Sequence, residues 1–139
     1  MTTVHRKEHF NAAHKLYNEK WGKQRNIDVF GPCANENWHG HNFDLHITVK
    51  GKPNPETGFV INFKELGKLV KAEIIEKVDH KNLNLDVDFM QGKLASCENL
   101  IMEMWKILEP GVKGITDNGT LHSIKLYETP RNYVEYFGE

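Results

Sequence analysis

The hydrophobic and polar positions follow two different periods, and the change of period divides the chain into elements. Residues 41–50 alternate strictly. Phe43, Leu45, Ile47 and Val49 fall on one face, and Asn42, Asp44, His46 and Thr48 on the other, the period-two mark of a half-buried strand. Residues 3–16 read as an earlier strand, and residues 17–38 as a polar, irregular stretch with glycines at 22 and 31. The Pro-, Asn- and Gly-rich residues 51–58 form a turn. Beyond it the period lengthens. Phe63, Leu66, Val70, Ile74 and Val78 lie three or four apart, which predicts an amphipathic helix, with Asn62 and Glu65 as a capping box at its start. A second helix is predicted over residues 96–109, with Leu100, Ile101, Met104, Trp105 and Leu108 as its stripe and Pro110-Gly111 as its stop. Asp117-Asn118-Gly119 is a turn. Residues 120–128 and 132–137 read as two further strands joined by Thr129-Pro130-Arg131.

Grouped rather than alternating elements predict an α+β fold: a four-stranded antiparallel sheet with two helices on one face. No repeat or linker interrupts the 139 residues, so residues 1–139 are expected to form a single domain. Such a sheet leaves two edge strands open, and pairing or covering them makes a homo-oligomer the expected state.

Composition narrows the function. Hydrophobic residues make up 39% and charged residues 27%, and the formal net charge is −1. That balance suits a folded chain and supplies no overall field to attract nucleic acid or an anionic membrane. No apolar run has the length of a membrane span, and residues 1–10 are too polar for a secretory signal. The only two cysteines, Cys33 and Cys97, are far apart. They suit a reducing cytoplasm rather than a disulfide framework.

Eight histidines are present, and one pair among them is informative. His39 and His41 are two apart at the start of a strand, so their rings share a face. Two imidazoles on one face are half of a zinc site, although a His-x-His pair alone is a weak signal and more often marks ordinary polar or core histidines. No further clustered ligand closes the set to the four of a structural site, so a catalytic site with three ligands is the better match. His14 is the third candidate. It ends the first strand, next to the second in space, on the face of Phe10 and Ala12. His5 and His9 have the opposite parity to His14, His46 the opposite parity to His39 and His41, and these three, with His122, read as ordinary polar residues.

Five blocks in order resemble a known family. Glu8-His9-Phe10-Asn11-Ala12-Ala13-His14 is similar to the aromatic-x-Ala-x-His opening of the 6-pyruvoyltetrahydropterin and 6-carboxytetrahydropterin synthases. The run from Phe30 to Phe43 contains Cys33 and His39-Gly40-His41-Asn42-Phe43, and resembles the family's cysteine and His-Gly-His-Asn-aromatic block. Val78-Asp79-His80-Lys81-Asn82-Leu83, Ser96-Cys97-Glu98-Asn99-Leu100 and Tyr127-Glu128-Thr129 resemble the Asp-His-x-x-Leu, Thr-x-Glu-Asn and Glu-Thr blocks.

The resemblance implies the tunnelling fold, in which three subunits close their sheets into a barrel and two rings stack into a hexamer, with active sites between subunits. It implies zinc on His14, His39 and His41, Cys33 as the proton acceptor and Asp79 with His80 as a relay pair. Glu128 is implied to hold the pterin ring; Ser96 reads as the cap of the second helix, whose side chain can also contact the substrate, and Cys97 reads as structural. The implied substrate is 7,8-dihydroneopterin triphosphate, whose triphosphate would meet Lys or Arg side chains such as Lys23, Arg25, Lys81 or Arg131.

Within the family, the five-residue gap between Cys33 and His39 resembles the pyruvoyl-forming synthases. The 6-carboxytetrahydropterin synthases of queuosine biosynthesis usually have a gap of three. Glu36 resembles a branch that cleaves the side chain to 6-hydroxymethyl-7,8-dihydropterin for folate, so a second base or substrate contact at Glu36 stays open. Two readings from other classes are a cupin-type metal oxygenase and a non-catalytic zinc- or pterin-binding module. The first lacks a glutamate shortly after His41, and the second leaves Cys33, Asp79, His80 and Glu128 without a purpose.

Overall fold

The computed structural model describes all of residues 1–139. Strand β1 (Thr2–His14) leads through helix α1 (Lys23–Phe30) and a 3-10 turn (Gly31–Ala34) to β2 (His39–Gly51). Helix α2 begins at Phe63–Val70, widens into a π turn at Lys71–Ile75 and ends with one α turn at Glu76–Val78. A two-residue strand β3 (Lys81–Asn82), a 3-10 turn (Asp88–Met90), helix α3 (Cys97–Ile115), and strands β4 (Gly119–Tyr127) and β5 (Tyr133–Tyr136) follow.

The strands form one sheet in the order β3-β1-β2-β4-β5. The α+β class is as expected, but the sheet has five strands rather than four, and it is mixed, because β3 runs parallel to β1. Two residues carry no readable periodicity. What makes Lys81–Asn82 a strand is the edge of β1, where the Ala13 carbonyl accepts from Leu83 N–H at 2.8 Å and the Asn11 carbonyl is bonded by His80 N–H at 2.6 Å. There are three helices, not two. Within the stretch read as irregular, α1 is held by Asn26, whose side chain is fully buried. It accepts from Asn18 N–H at 2.7 Å and donates to the carbonyls of Asn18 and Gly22.

Helix α2 has the periodicity the sequence gives it, with one adjustment. Leu66, Val70, Ile74 and Val78 are all buried yet spaced four apart. In an unbroken α-helix each four-residue step overshoots a turn by about 40°, a drift of roughly 120° from Leu66 to Val78. The π turn absorbs about one extra residue and returns Ile74 and Val78 to the core side. Phe63, expected in this stripe, is exposed, because it precedes the first turn that meets the sheet. Asn62 caps the helix, its side-chain oxygen accepting from Lys64 N–H at 2.8 Å and Glu65 N–H at 3.3 Å.

Helix α3 does not stop at Pro110-Gly111 but runs on to Ile115. Pro110 sits on the exposed side, so the Lys106 carbonyl that loses its donor lies on the solvent face one turn back. Val112 is fully buried and continues the stripe. A Cβ at Gly111 would stand 2.6 Å from the Leu69 side chain, so the glycine lets α2 and α3 approach closely.

Both long helices cover the same sheet face. The core joins Phe10 of β1, Phe43, Leu45 and Ile47 of β2, and Ile124 and Leu126 of β4 to the helix stripes. The opposite face is polar. On it His5 pairs with Thr48 at 3.0 Å, His9 with Asp44 at 3.2 Å, and His46 packs on the Tyr127 ring.

Candidate active site

The antiparallel register of β1 and β2 sets Phe10 opposite Phe43, Ala12 opposite His41 and His14 opposite His39. These residues lie on the core face, where the Phe10 and Phe43 rings stack 4.7 Å apart. The small Ala12 leaves room for the His41 ring across from it. The three predicted metal ligands therefore converge at one end of the sheet, with candidate ligand atoms all within 4.8 Å of one another.

Their nitrogens lack other partners. His14 is 1% exposed, and its Nδ1 donates to the Ala95 carbonyl at 2.7 Å, which fixes the tautomer and turns the Nε2 lone pair inward. His14 Nε2, both nitrogens of His39 and His41 Nε2 are buried without a hydrogen-bond partner. Each buried orphan of this kind costs about 1–3 kcal/mol. Burial is also the main reason that His14 and His39 are held below the ordinary imidazole pKa. Neutral, inward-facing imidazoles with unused lone pairs are what a zinc ion requires. Ligands about 2.0–2.1 Å from one zinc stand roughly 3.4 Å apart, so the three rings would draw inward from their separations of up to 4.8 Å to complete the set. The donor set fits zinc with three protein ligands and an open position.

Glu128 follows the last residue of β4 and points to the same place. Its Oε2 lies 3.7 Å from His14 Nε2 and its Oε1 3.7 Å from His41 Nε2. Burial lowers the His14 pKa, and the nearby Glu128 opposes that shift. The turn after β4 fixes the backbone: Glu128 N–H donates to the Asn132 carbonyl at 3.0 Å, and Thr129 Oγ1 accepts from Arg131 and Asn132 N–H. Beside it opens a pocket of about 290 Å3, lined among others by Leu16, Ser96, Cys97, Glu128 and Tyr133. Ser96 caps α3, its Oγ accepting from Asn99 N–H at 3.2 Å, and lines this pocket as well.

Cys97 is the residue the sequence reading passed over. Read as structural, it is buried, but its Sγ donates to Glu128 Oε2 at 3.0 Å. Burial, followed by the carboxylate beside it, pushes this thiol far above its usual pKa, so it is a donor and not a thiolate. The available signal was position: Cys97 occupies the open place between Ser96 and Glu98 in a motif tied to the pterin site.

The remaining predicted residues do not line the pocket at Glu128. Cys33 is half-buried on the loop after α1, its carbonyl accepting from Leu16 N–H at 2.8 Å, two residues beyond His14. Asp79 and His80 form a pair, Oδ1 to Nδ1 at 3.0 Å. Asp79 also accepts from Asn11 N–H at 2.9 Å, and that bond is the main reason its pKa is held below the ordinary carboxylate value. The pair sits at the β3 edge, where His80, Lys81, Asn11 and Asp86 line a second, polar cleft that His41 also lines, and it does not meet Cys33 within the chain. Glu36 is exposed and opens with Lys15 and Lys23 onto a third cleft of about 560 Å3, apart from the pocket at Glu128. Arg25 packs on the Trp21 ring, 4.0 Å from its centroid, and Arg131 is exposed on the turn. Two non-glycine residues have left-handed backbones, Trp38 (φ 68°) and His80 (φ 59°). Both are bulky, so both store strain, and each adjoins a predicted functional residue, His39 and Asp79.

Comparison with known proteins agrees with this geometry. The family model described as 6-pyruvoyl tetrahydropterin synthase matches residues 3–139. The chain is 38% identical over 136 residues to the 6-pyruvoyl tetrahydrobiopterin synthase of Pongo abelii, covering 98% of this chain and 91% of that protein. It is 28% identical to the 6-carboxy-5,6,7,8-tetrahydropterin synthase of Bacillus subtilis, over 92% of this chain and 80% of the relative. Its fold matches the structure of Caenorhabditis elegans 6-pyruvoyl tetrahydropterin synthase with a TM-score of 0.88 at 32% identity, covering 99% of this chain and 96% of the other. With a family model spanning nearly the whole chain and relatives above 30% identity along its length, the chain belongs to the 6-pyruvoyl tetrahydropterin synthase family, lyases of tetrahydropterin synthesis with the tunnelling fold.

Proposed function

We propose that this chain is a zinc-dependent lyase that converts 7,8-dihydroneopterin triphosphate to the 6-pyruvoyl tetrahydropterin, with loss of triphosphate. The observation that carries the reading is the convergence of His14, His39 and His41, nitrogens unpartnered, with the Glu128 carboxylate 3.7 Å from two of them.

His14, His39 and His41 hold the metal. When bound, zinc would act as a Lewis acid on the substrate's side-chain hydroxyls, making the adjoining C–H groups more acidic. Glu128 accepts two hydrogen bonds from the aminopyrimidine edge, a planar match for a carboxylate, and so orients the ring. Ser96, at the start of α3, lines the ring pocket. Cys33 takes the side-chain proton, with His80 oriented by Asp79 as the group that lowers the thiol pKa or returns the proton. That pair makes no hydrogen bond to Cys33 within one chain, which supports a site shared between subunits of a homo-oligomer, a hexamer of two trimers. The open strands β3 and β5 are the edges such an assembly would use.

The Bacillus subtilis relative favours a second reading, in which the product is the 6-carboxy tetrahydropterin. Glu36, on its own cleft, is a candidate base for cleavage to the 6-hydroxymethyl compound only if the substrate reaches that side. One experiment separates these readings. The zinc-loaded protein is incubated with 7,8-dihydroneopterin triphosphate and the products are identified by mass, alongside Cys33→Ala and Glu36→Ala. A pyruvoyl product that disappears with Cys33→Ala is expected. A hydroxymethyl product that survives Cys33→Ala but not Glu36→Ala would replace the proposal with the folate reading. No turnover at all would leave a binding module.

A further inference from the structure

Glu128 stands in an ambiguous place. Its two oxygens are each 3.7 Å from a histidine nitrogen, Oε2 from His14 and Oε1 from His41. Donors that share one zinc stand roughly 3.4 Å apart, so each carboxylate oxygen already stands near ligand spacing from one of the two histidines. Carboxylates are ordinary zinc ligands, and a fourth protein ligand turns an open catalytic site into a closed structural one. A Glu128 that swung inward would then be lost to the pterin.

One side-chain hydrogen bond acts on this carboxylate, and it comes from Cys97. The thiol donates to Oε2 at 3.0 Å from the first residue of α3, 8% exposed and fixed by the Ser96 cap. A bond to an ionised acceptor is the stronger kind. Independently, His14 Nε2, on a side chain 1% exposed, faces the Glu128 carboxylate at 3.7 Å without a hydrogen-bond partner.

We infer that Cys97 is a positioning residue: its thiol holds Glu128 out for the pterin and keeps it off the metal, so that the fourth position stays open. The inference rests on the zinc and pterin roles proposed above, and adds to them a residue that touches neither ligand. Cys97 holds Oε2, while Oε1 and the free lone pair of Oε2 remain for the two ring donors.

The test uses the full-length protein and reads zinc affinity by chelator competition, the absorption spectrum of the cobalt(II)-loaded form, and KM and kcat separately. Cys97→Ala is expected to bind zinc about ten-fold more tightly, because Glu128 then joins the ligands, and to raise KM about ten-fold, the factor that one such hydrogen bond supplies. Its cobalt spectrum should shift, and Cys97→Ser, which restores a donor, should return all three readouts toward the parent. Unchanged zinc affinity and KM in Cys97→Ala, weaker zinc binding, or a Cys97→Ser that behaves like alanine would each overturn the inference. The parent protein is the separate control: a parent chain that binds no zinc would overturn the underlying reading itself.

Discussion

His14 Nδ1 donates to the carbonyl of Ala95 at 2.7 Å, tying the last residue of β1 to the segment that starts α3. The bond spends one ring nitrogen and aims the other, so the ligand geometry depends on how the helix docks on the sheet. His14→Gln should weaken zinc binding by at least about 100-fold, more than the loss of a second-shell partner alone. Zinc should raise the melting temperature of the parent and hardly change that of the variant. Calorimetry with and without the metal checks both.

Gly51 ends β2 where the backbone of the β4 turn crosses it. A Cβ there would run into the Asn118 carbonyl oxygen and stand 2.6 Å from the Gly119 Cα. Backbone cannot move aside as a side-chain tip does. Gly51→Ala should therefore destabilise the fold by about 3 kcal/mol, read from the midpoint of urea unfolding.

His46 lies on the polar sheet face, and its pKa is lowered, first by burial and then by Lys7, with Lys125 and His5 adding and Asp44 opposing. The unfolded chain, with an imidazole pKa near 6.5, therefore binds a proton before the folded one does. Stability from neutral His46 is present at pH 7 and is lost as pH falls through 6.5 toward the folded pKa. His46→Gln should lose less stability than the parent between pH 7 and pH 5. Equal slopes in denaturant titrations across that range would contradict it.

Pro110 breaks a rule inside α3 without ending the helix. Its ring removes the donor for the Lys106 carbonyl on the exposed side. Pro110→Ala should restore that bond and stabilise the protein by about 1 kcal/mol, with activity unchanged because the position is far in sequence and fold from the pocket. A lower melting temperature would mean that the proline geometry is itself used in the packing against α2.

Local chemistry was enough to read four of the five strands and the helix caps, and to bring out the three histidines that the fold gathers. The alternation from Phe43 to Val49 and the parity of His39 and His41 put the histidines on the core face before any coordinates. Asn62 and Ser96 cap the helices they precede, though Glu65 does not return the bond of a full capping box. These features follow from spacing and side-chain type along a few residues, and the chain alone carries both.

What tertiary structure decided concerns groups with no local signal. Lys81–Asn82 is a strand only because the free edge of β1 accepts it. Helix α1 forms where the buried Asn26 satisfies a polar loop. The π turn and the run past Pro110 exist because burying Ile74, Val78 and Val112 outweighs the local preference to stop or drift. The contact between Cys97 and Glu128 spans 31 positions, and only the docking of α3 against the end of β4 brings that thiol to that carboxylate. Sequence determines which residues can bind or ionise; distances of a few ångströms between remote segments determine which of them act on one another.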